Sequence, residues 1–156
     1  MSPFCFPKAV SILTLIGASL ACQIAAKAED IIPTSIVRTP AAPIELTKCS
    51  TDSGSHVVAN VRNRSTSFLI SYQVRWTPYN HGGDRIGSLD QDVQPQQALA
   101  PGDEVTGPLE YLYSRLTEPV SALGRVTCRL QVAKFEGGKV WTYGHRWTGK
   151  LLKPSN

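Results

Sequence analysis

The stretch "RVTCRLQVAKFEGGKVW", Arg125 to Trp141, decides the fold. Val126, Cys128, Leu130 and Val132 alternate with Thr127, Arg129, Gln131 and Ala133. A period of two belongs to a half-buried strand and not to a helix. Gly137-Gly138 then separate this run from a second one, Lys139 to Trp147, rich in aromatics. Gly-Gly suits a two-residue hairpin loop, which needs positive φ at both central positions. The chain therefore carries an antiparallel hairpin, and the open question is which face takes Trp141, Tyr143, His145 and Trp147.

Two registers answer it differently. A two-residue loop sets Lys134 opposite Trp141, Val132 opposite Tyr143, Leu130 opposite His145 and Cys128 opposite Trp147. Opposed residues share a face, so the aromatics would join the apolar side and Trp147 would lie near Cys128. A three-residue loop slips the pairing by one and reverses every side chain. The aromatics would then form an exposed stripe beside Arg129 and Gln131, a platform for a sugar or peptide. Large aromatics bury about 150–250 Å² each, which favours the packed register. That register also sets Arg129 opposite Arg146 on the outer side, flanked by Thr127 and Thr148 and within reach of Arg125. This is a candidate anion or acidic-partner site.

Outward from the hairpin the signals remain those of strands. In "FLISYQVRW" Phe68, Ile70, Tyr72, Val74 and Trp76 share one face, with Pro78 as the stop and "NHGGD" as a turn. "VVANV" places Val57, Ala59 and Val61 together. Arg85 to Leu89 reads as a short edge strand and Asp90 to Leu99 as loop. A further short strand falls near Thr106 to Leu109, and Glu110 to Gly124 is ambiguous. About seven short strands with no long helix predict an all-β, immunoglobulin-like antiparallel sandwich.

The bulk numbers agree with one packed domain. The 156 residues are 42% hydrophobic and 18% charged, against the composition of a disordered chain. Domain boundaries are expected at 1–28 for a signal peptide, 29–43 for a Pro-rich extended linker, 44–150 for the sandwich and 151–156 for a tail. The leader reading rests on Lys8, the apolar run Ala9 to Ala21 and the "AKA" cleavage pattern at Ala26 to Ala28. The apolar run is shorter than the ~20 residues of a membrane span. A second reading takes "SLAC" as a lipoprotein box ending at Cys22. Cleavage at Ala28 removes Lys8 and Lys27, so 16 basic residues become 14 against 12 acids, a net charge of +2. So modest a balance offers little support for a nucleic-acid partner.

Cys5 and Cys22 lie in the leader, which leaves Cys49 and Cys128. Two cysteines in an exported chain without C-x-x-C spacing predict one structural disulfide.

The layout resembles the immunoglobulin-like domains of small exported bacterial proteins, the FxLYD-like type included. The resemblance rests on "NVRNRS", "YQVRWTPYNHGG", "LAPGDEV" and "CRLQVAKFEGGKVW". It implies a β-sandwich and no particular activity, because these motifs are mostly turn chemistry.

Chemistry-bearing motifs are sparse. There is no nucleophile elbow and no P-loop. His56, His81 and His145 are dispersed, and the sole Met is Met1. Asp90 and Asp92 form a D-x-D pair read as solvated loop, and "NRS" at Asn63 fits a strand-end turn better than a glycosylation site. No catalytic residue, metal or cofactor is expected. The leading expectation is a non-enzymatic exported module, periplasmic or secreted, whose partner is another protein or an anionic envelope polymer. No nucleic-acid partner and no membrane span after leader removal are expected. The alternatives are a carbohydrate-binding module using Trp141, Tyr143, His145 and Trp147, or a small hydrolase built on His145 or His81.

Overall fold

A computed structural model describes residues 32–52 and 55–152. The leader, its cleavage site and Cys22 lie outside these residues. Nine strands are present among them: β1 (Thr34–Ile36), β2 (Ile44–Thr51), β3 (His56–Asn63), β4 (Leu69–Asn80), β5 (Leu89–Val93), β6 (Glu104–Thr106), β7 (Glu110–Tyr111), β8 (Leu123–Phe135) and β9 (Val140–Thr142). The protein is an all-β sandwich. One sheet runs β1-β8-β4-β5 with β9 also on β8; the other runs β2-β3-β6 with β7 also on β3. Among the described residues no helix is long and apolar enough to cross a membrane.

The strands form where apolar residues recur every second position. Val57, Ala59 and Val61 of β3 are buried, as are Tyr72, Val74 and Trp76 of β4 and Val126, Cys128 and Leu130 of β8. They meet in one core between the sheets. The Cys49–Cys128 disulfide bridges β2 to β8 and so links the two sheets, as expected. Trp76, fully buried, donates from Nε1 to Gln91 Oε1 at 2.9 Å, and the Gln91 amide donates to the Pro108 carbonyl at 2.7 Å. That chain satisfies a polar side chain that would be costly to bury unpaired.

The hairpin takes the three-residue register, but Trp141 does not take the exposed face expected with it. Val132 pairs with Thr142, Ala133 with Trp141 and Lys134 with Val140. The loop is therefore Glu136-Gly137-Gly138, three residues, with φ of 75° and 76° at the two glycines. By itself this slip would expose Trp141. Yet β8 also carries a bulge: Val74 pairs with Leu130 and Gln73 with Val132, which leaves Gln131 as the extra residue. Beyond the bulge the core face of β8 passes to Ala133 and Phe135. The two shifts cancel, and Trp141 is buried at 3% exposure.

The last strand is shorter than Lys139 to Trp147. Its anticipated partners near Cys128 are already taken, because β1 runs parallel to β8 and pairs Thr34 with Val126 and Ile36 with Cys128. β9 and β1 divide one edge of β8 between them. Part of the stretch read as linker is thus a strand of the sandwich, and one pair is parallel. After Tyr143 N–H donates to the Gln131 carbonyl, the chain turns away and reaches Ser65 through a bridge at Leu151.

Other differences have local causes. A register shift between Leu69 and Ser71 turns Phe68 and Ile70 outward, at 43% and 39% exposure. Pro78 does not end β4; it is buried within the strand, and its carbonyl accepts from Ile86 N–H. Asp90 and Asp92 are not loop residues. They are the outward positions of β5, whose burial alternates along Leu89–Val93.

Candidate functional site

The outer face of the β5-β4-β8 sheet carries the most organised set of charged and aromatic side chains among the described residues. Alternation builds it. Gln73, Arg75, Thr77 and Tyr79 are the outward, half-buried positions of β4; on β8 the outward positions are Arg125, exposed, and Thr127 and Arg129, half-buried. Register sets Tyr79 opposite Arg125, Thr77 opposite Thr127 and Arg75 opposite Arg129. On the other side of β4, Arg75 faces Asp90 and Gln73 faces Asp92.

The charges are arranged in a row. Arg75 binds Asp90 through two bonds, Nε to Oδ1 and Nη2 to Oδ2, each 2.6 Å. Such a two-bond fork is stronger and more directional than a single contact. Hydrogen bonds from Arg75 hold the Asp90 carboxyl below its ordinary range, helped by the positive charges of Arg75, Arg129 and Arg85 and opposed by partial burial. Gln73 donates to Asp92 at 2.9 Å. The acids of β5 are thus engaged within the sheet.

The arginines of β8 are held differently. The Arg129 guanidinium lies 4.0 Å from the centroid of the Tyr143 ring, and Arg125 lies 4.3 Å from that of Tyr79. With its amide oxygen turned toward Arg129, Gln131 accepts from Nε and Nη2 at 2.9 Å. A guanidinium stacked on an aromatic ring gains about 0.5–1 kcal/mol at an exposed site and keeps its N–H groups at the ring edge, where Nε and Nη2 of Arg129 meet Gln131 and Nη1 is left over. Among the described residues neither Arg125 nor Arg129 has a carboxylate within ion-pair distance. The face therefore presents two oriented, unneutralised cations.

Arg146 does not face Arg129. β9 ends at Thr142, and Arg146 and Thr148 lie exposed beyond the turn that follows it. The like-charged neighbour of Arg129 is Arg75, and Asp90 offsets that repulsion. The four aromatics read as a possible stripe separate. Trp141 is buried and donates from Nε1 to the His145 carbonyl at 2.9 Å. Trp147 is half-buried against Phe135, with centroids 4.9 Å apart. Tyr143 and His145 are exposed. Two thus pack inward and two point outward, so no continuous platform forms.

The histidine with an acid at hand is His56, not His81 or His145. Its Nδ1 lies 2.6 Å from Asp52 Oδ2, and its ring meets Tyr111 edge-on at 4.4 Å. The adjacent Ser55 hydroxyl is buried with no hydrogen-bond partner among the described residues and makes no bond to this imidazole. No group of three or more His, Cys, Asp or Glu is placed to hold a metal ion among the described residues. Asn63, in the "NRS" triplet, is fully buried. Its amide donates to the Ser67 and Leu99 carbonyls and accepts from Ser65, so its whole capacity is spent on the turn.

Sequence reasoning found Arg125 and Arg129, and set Tyr143 beside Arg129 only in the less favoured three-residue register; it missed Tyr79, Arg75 and Asp90 as their surroundings. The alternation of β4 carried the signal for Arg75 and Tyr79. The place of Tyr143 depended on the loop length, which Gly137-Gly138 does not fix. Comparison with known protein families, curated proteins and solved structures finds no match for the chain.

Proposed function

We propose that the protein is an exported, non-enzymatic module of immunoglobulin-like type that binds an acidic component of the cell envelope, a protein or an anionic polymer. The outer face of β8 is the contact surface. The observation that carries this reading is the pair of guanidinium groups, Arg125 and Arg129, each stacked on a tyrosine and free of a carboxylate partner. Preoriented cations lose little side-chain freedom on binding, and the N–H groups that remain, those of Arg125 and the Nη1 side of Arg129, match carboxylate or phosphate oxygens. Export is supported by the inter-sheet disulfide, which persists in oxidising compartments. The amino-terminal charged, apolar and small-residue pattern agrees with it.

Titration with poly-L-glutamate tests the reading. Wild type binds with an affinity that falls as salt rises, since rim charges are screened. Arg125→Ala/Arg129→Ala weakens binding about ten-fold or more, as expected for two lost charge contacts. Arg146→Ala leaves it unchanged. Equal binding by the double variant would refute the reading.

A further inference from the structure

A second surface lies on the other side of the molecule's strand order, where the two sheets end. β2 pairs only with β3, and β1 only with β8. Between them opens a cleft of about 770 Å³. The chain closes one end, where Thr34 Oγ1 donates to Thr51 Oγ1 at 2.8 Å. Its lining continues along Val37 to Pro40.

The cleft has the parts of a strand-binding groove. Strands in an antiparallel pair bond through alternate residues, so the remaining N–H and C=O groups of β2 face away from β3. No backbone partner occupies that edge among the described residues. The floor is apolar, formed by Ile36, Leu46, Cys49 and Leu130. The rim is basic: Arg38, Lys48 and Arg64 line it against a single acid, Glu45. None of the three cations has an ion-pair partner among the described residues.

From these observations we infer that the cleft receives an extended acidic peptide segment, added as a strand to the free edge of β2. Main-chain bonds supply affinity in such augmentation, and alternating side chains supply selectivity. Residues on one side of the segment meet the apolar floor, and acidic residues on the other meet the basic rim. The same rim discourages pairing with a second copy of β2, whose own cations would be brought close to it. This site is separate from the Arg125–Arg129 face and uses main-chain recognition, so the two stand or fall independently.

The probe is a capped peptide of alternating Val and Glu, about eight residues long to match the ~26 Å of the β2 edge. Its Val-Lys counterpart is the control. Binding is followed by calorimetry together with amide hydrogen exchange of the full chain. The Val-Glu peptide is expected to bind and to slow exchange within Ile44–Thr51. Arg38→Glu/Arg64→Glu should weaken it about ten-fold or more, whereas Arg125→Ala/Arg129→Ala should bind it as wild type does. If the double charge reversal loses its melting transition, Arg38→Glu alone, in an exposed turn, carries the test. Unchanged β2 exchange, equal binding of the Val-Lys peptide, or loss of binding only in the Arg125/Arg129 variant would overturn the inference.

Discussion

Trp76 on β4 lies directly across the strand pair from Cys128 on β8, and both are fully buried. The disulfide that joins the sheets is thus covered by a tryptophan whose ring N–H is anchored on Gln91. A sandwich with a buried tryptophan beside an inter-sheet disulfide is the arrangement known from immunoglobulin domains.

The cysteines are 79 residues apart, so the bond restrains a long loop in the unfolded chain. The chain-entropy estimate is roughly 4.5 kcal/mol. Reduction, or Cys49→Ala/Cys128→Ala, should lower the urea midpoint accordingly. Non-reducing peptide mapping of the folded protein should recover the linked pair. Free thiols there would contradict the structure.

Trp141 and Tyr143 should behave oppositely. Trp141→Ala removes a buried ring and should cost about 3–5 kcal/mol. Tyr143→Ala removes an exposed ring that covers Arg129, and should cost no more than about 1 kcal/mol. Denaturant melts of the two variants check this. A large loss at Tyr143 would place it in the core.

The Asp90 carboxyl has its folded pKa lowered, chiefly by bonds from Arg75. Its contribution is therefore present above the ordinary carboxylate value, about 3.9, and is lost as pH falls through the lower folded value. The pair is about one-third exposed, so Asp90→Asn should cost only about 0.5–1 kcal/mol at neutral pH. The difference from wild type should shrink as pH falls below the ordinary carboxylate range and through the lower folded value. Urea midpoints against pH provide the measurement.

Burial pushes the Tyr72 hydroxyl up to about 12, and that hydroxyl has no hydrogen-bond partner among the described residues. The unfolded phenol ionises first, near pH 10. Tyr72 thus favours the fold below that pH, and its contribution falls as pH rises toward the folded value. Tyr72→Phe should be neutral or stabilising at neutral pH, since it removes an unsatisfied buried group. It should also reduce the loss of stability above pH 10. A clear destabilisation at neutral pH would mean that the hydroxyl is bonded after all.

The sandwich and its disulfide were legible because the apolar residues of β3, β4 and β8 alternate cleanly and only Cys49 and Cys128 lie outside the expected leader. The hairpin was half legible. Gly137-Gly138 marks a turn but not its length, and the Gln131 bulge is invisible in the residue pattern. Trp141 reached the core through two shifts that cancel, so the right face followed from the wrong register. Arg146 was misplaced for a tertiary reason: Thr34–Ile36 occupies the edge of β8 that a longer β9 would have needed. No local signal in a Pro-rich arm announces a three-residue parallel strand. Asp90 and Asp92 were missed because their strand is short and its inward Gln91 is polar, bonded to Trp76.

The central claim, that Arg125 and Arg129 form an acidic-partner surface, is tested most directly at the guanidinium groups themselves. Nuclear magnetic resonance of arginine Nε–H groups during titration with poly-L-glutamate reads each site separately. The account predicts that the Arg125 and Arg129 signals and the Tyr143 ring shift together and saturably, reversed by salt, while Arg146 stays unmoved. Saturation with Arg125 and Arg129 unshifted would contradict it.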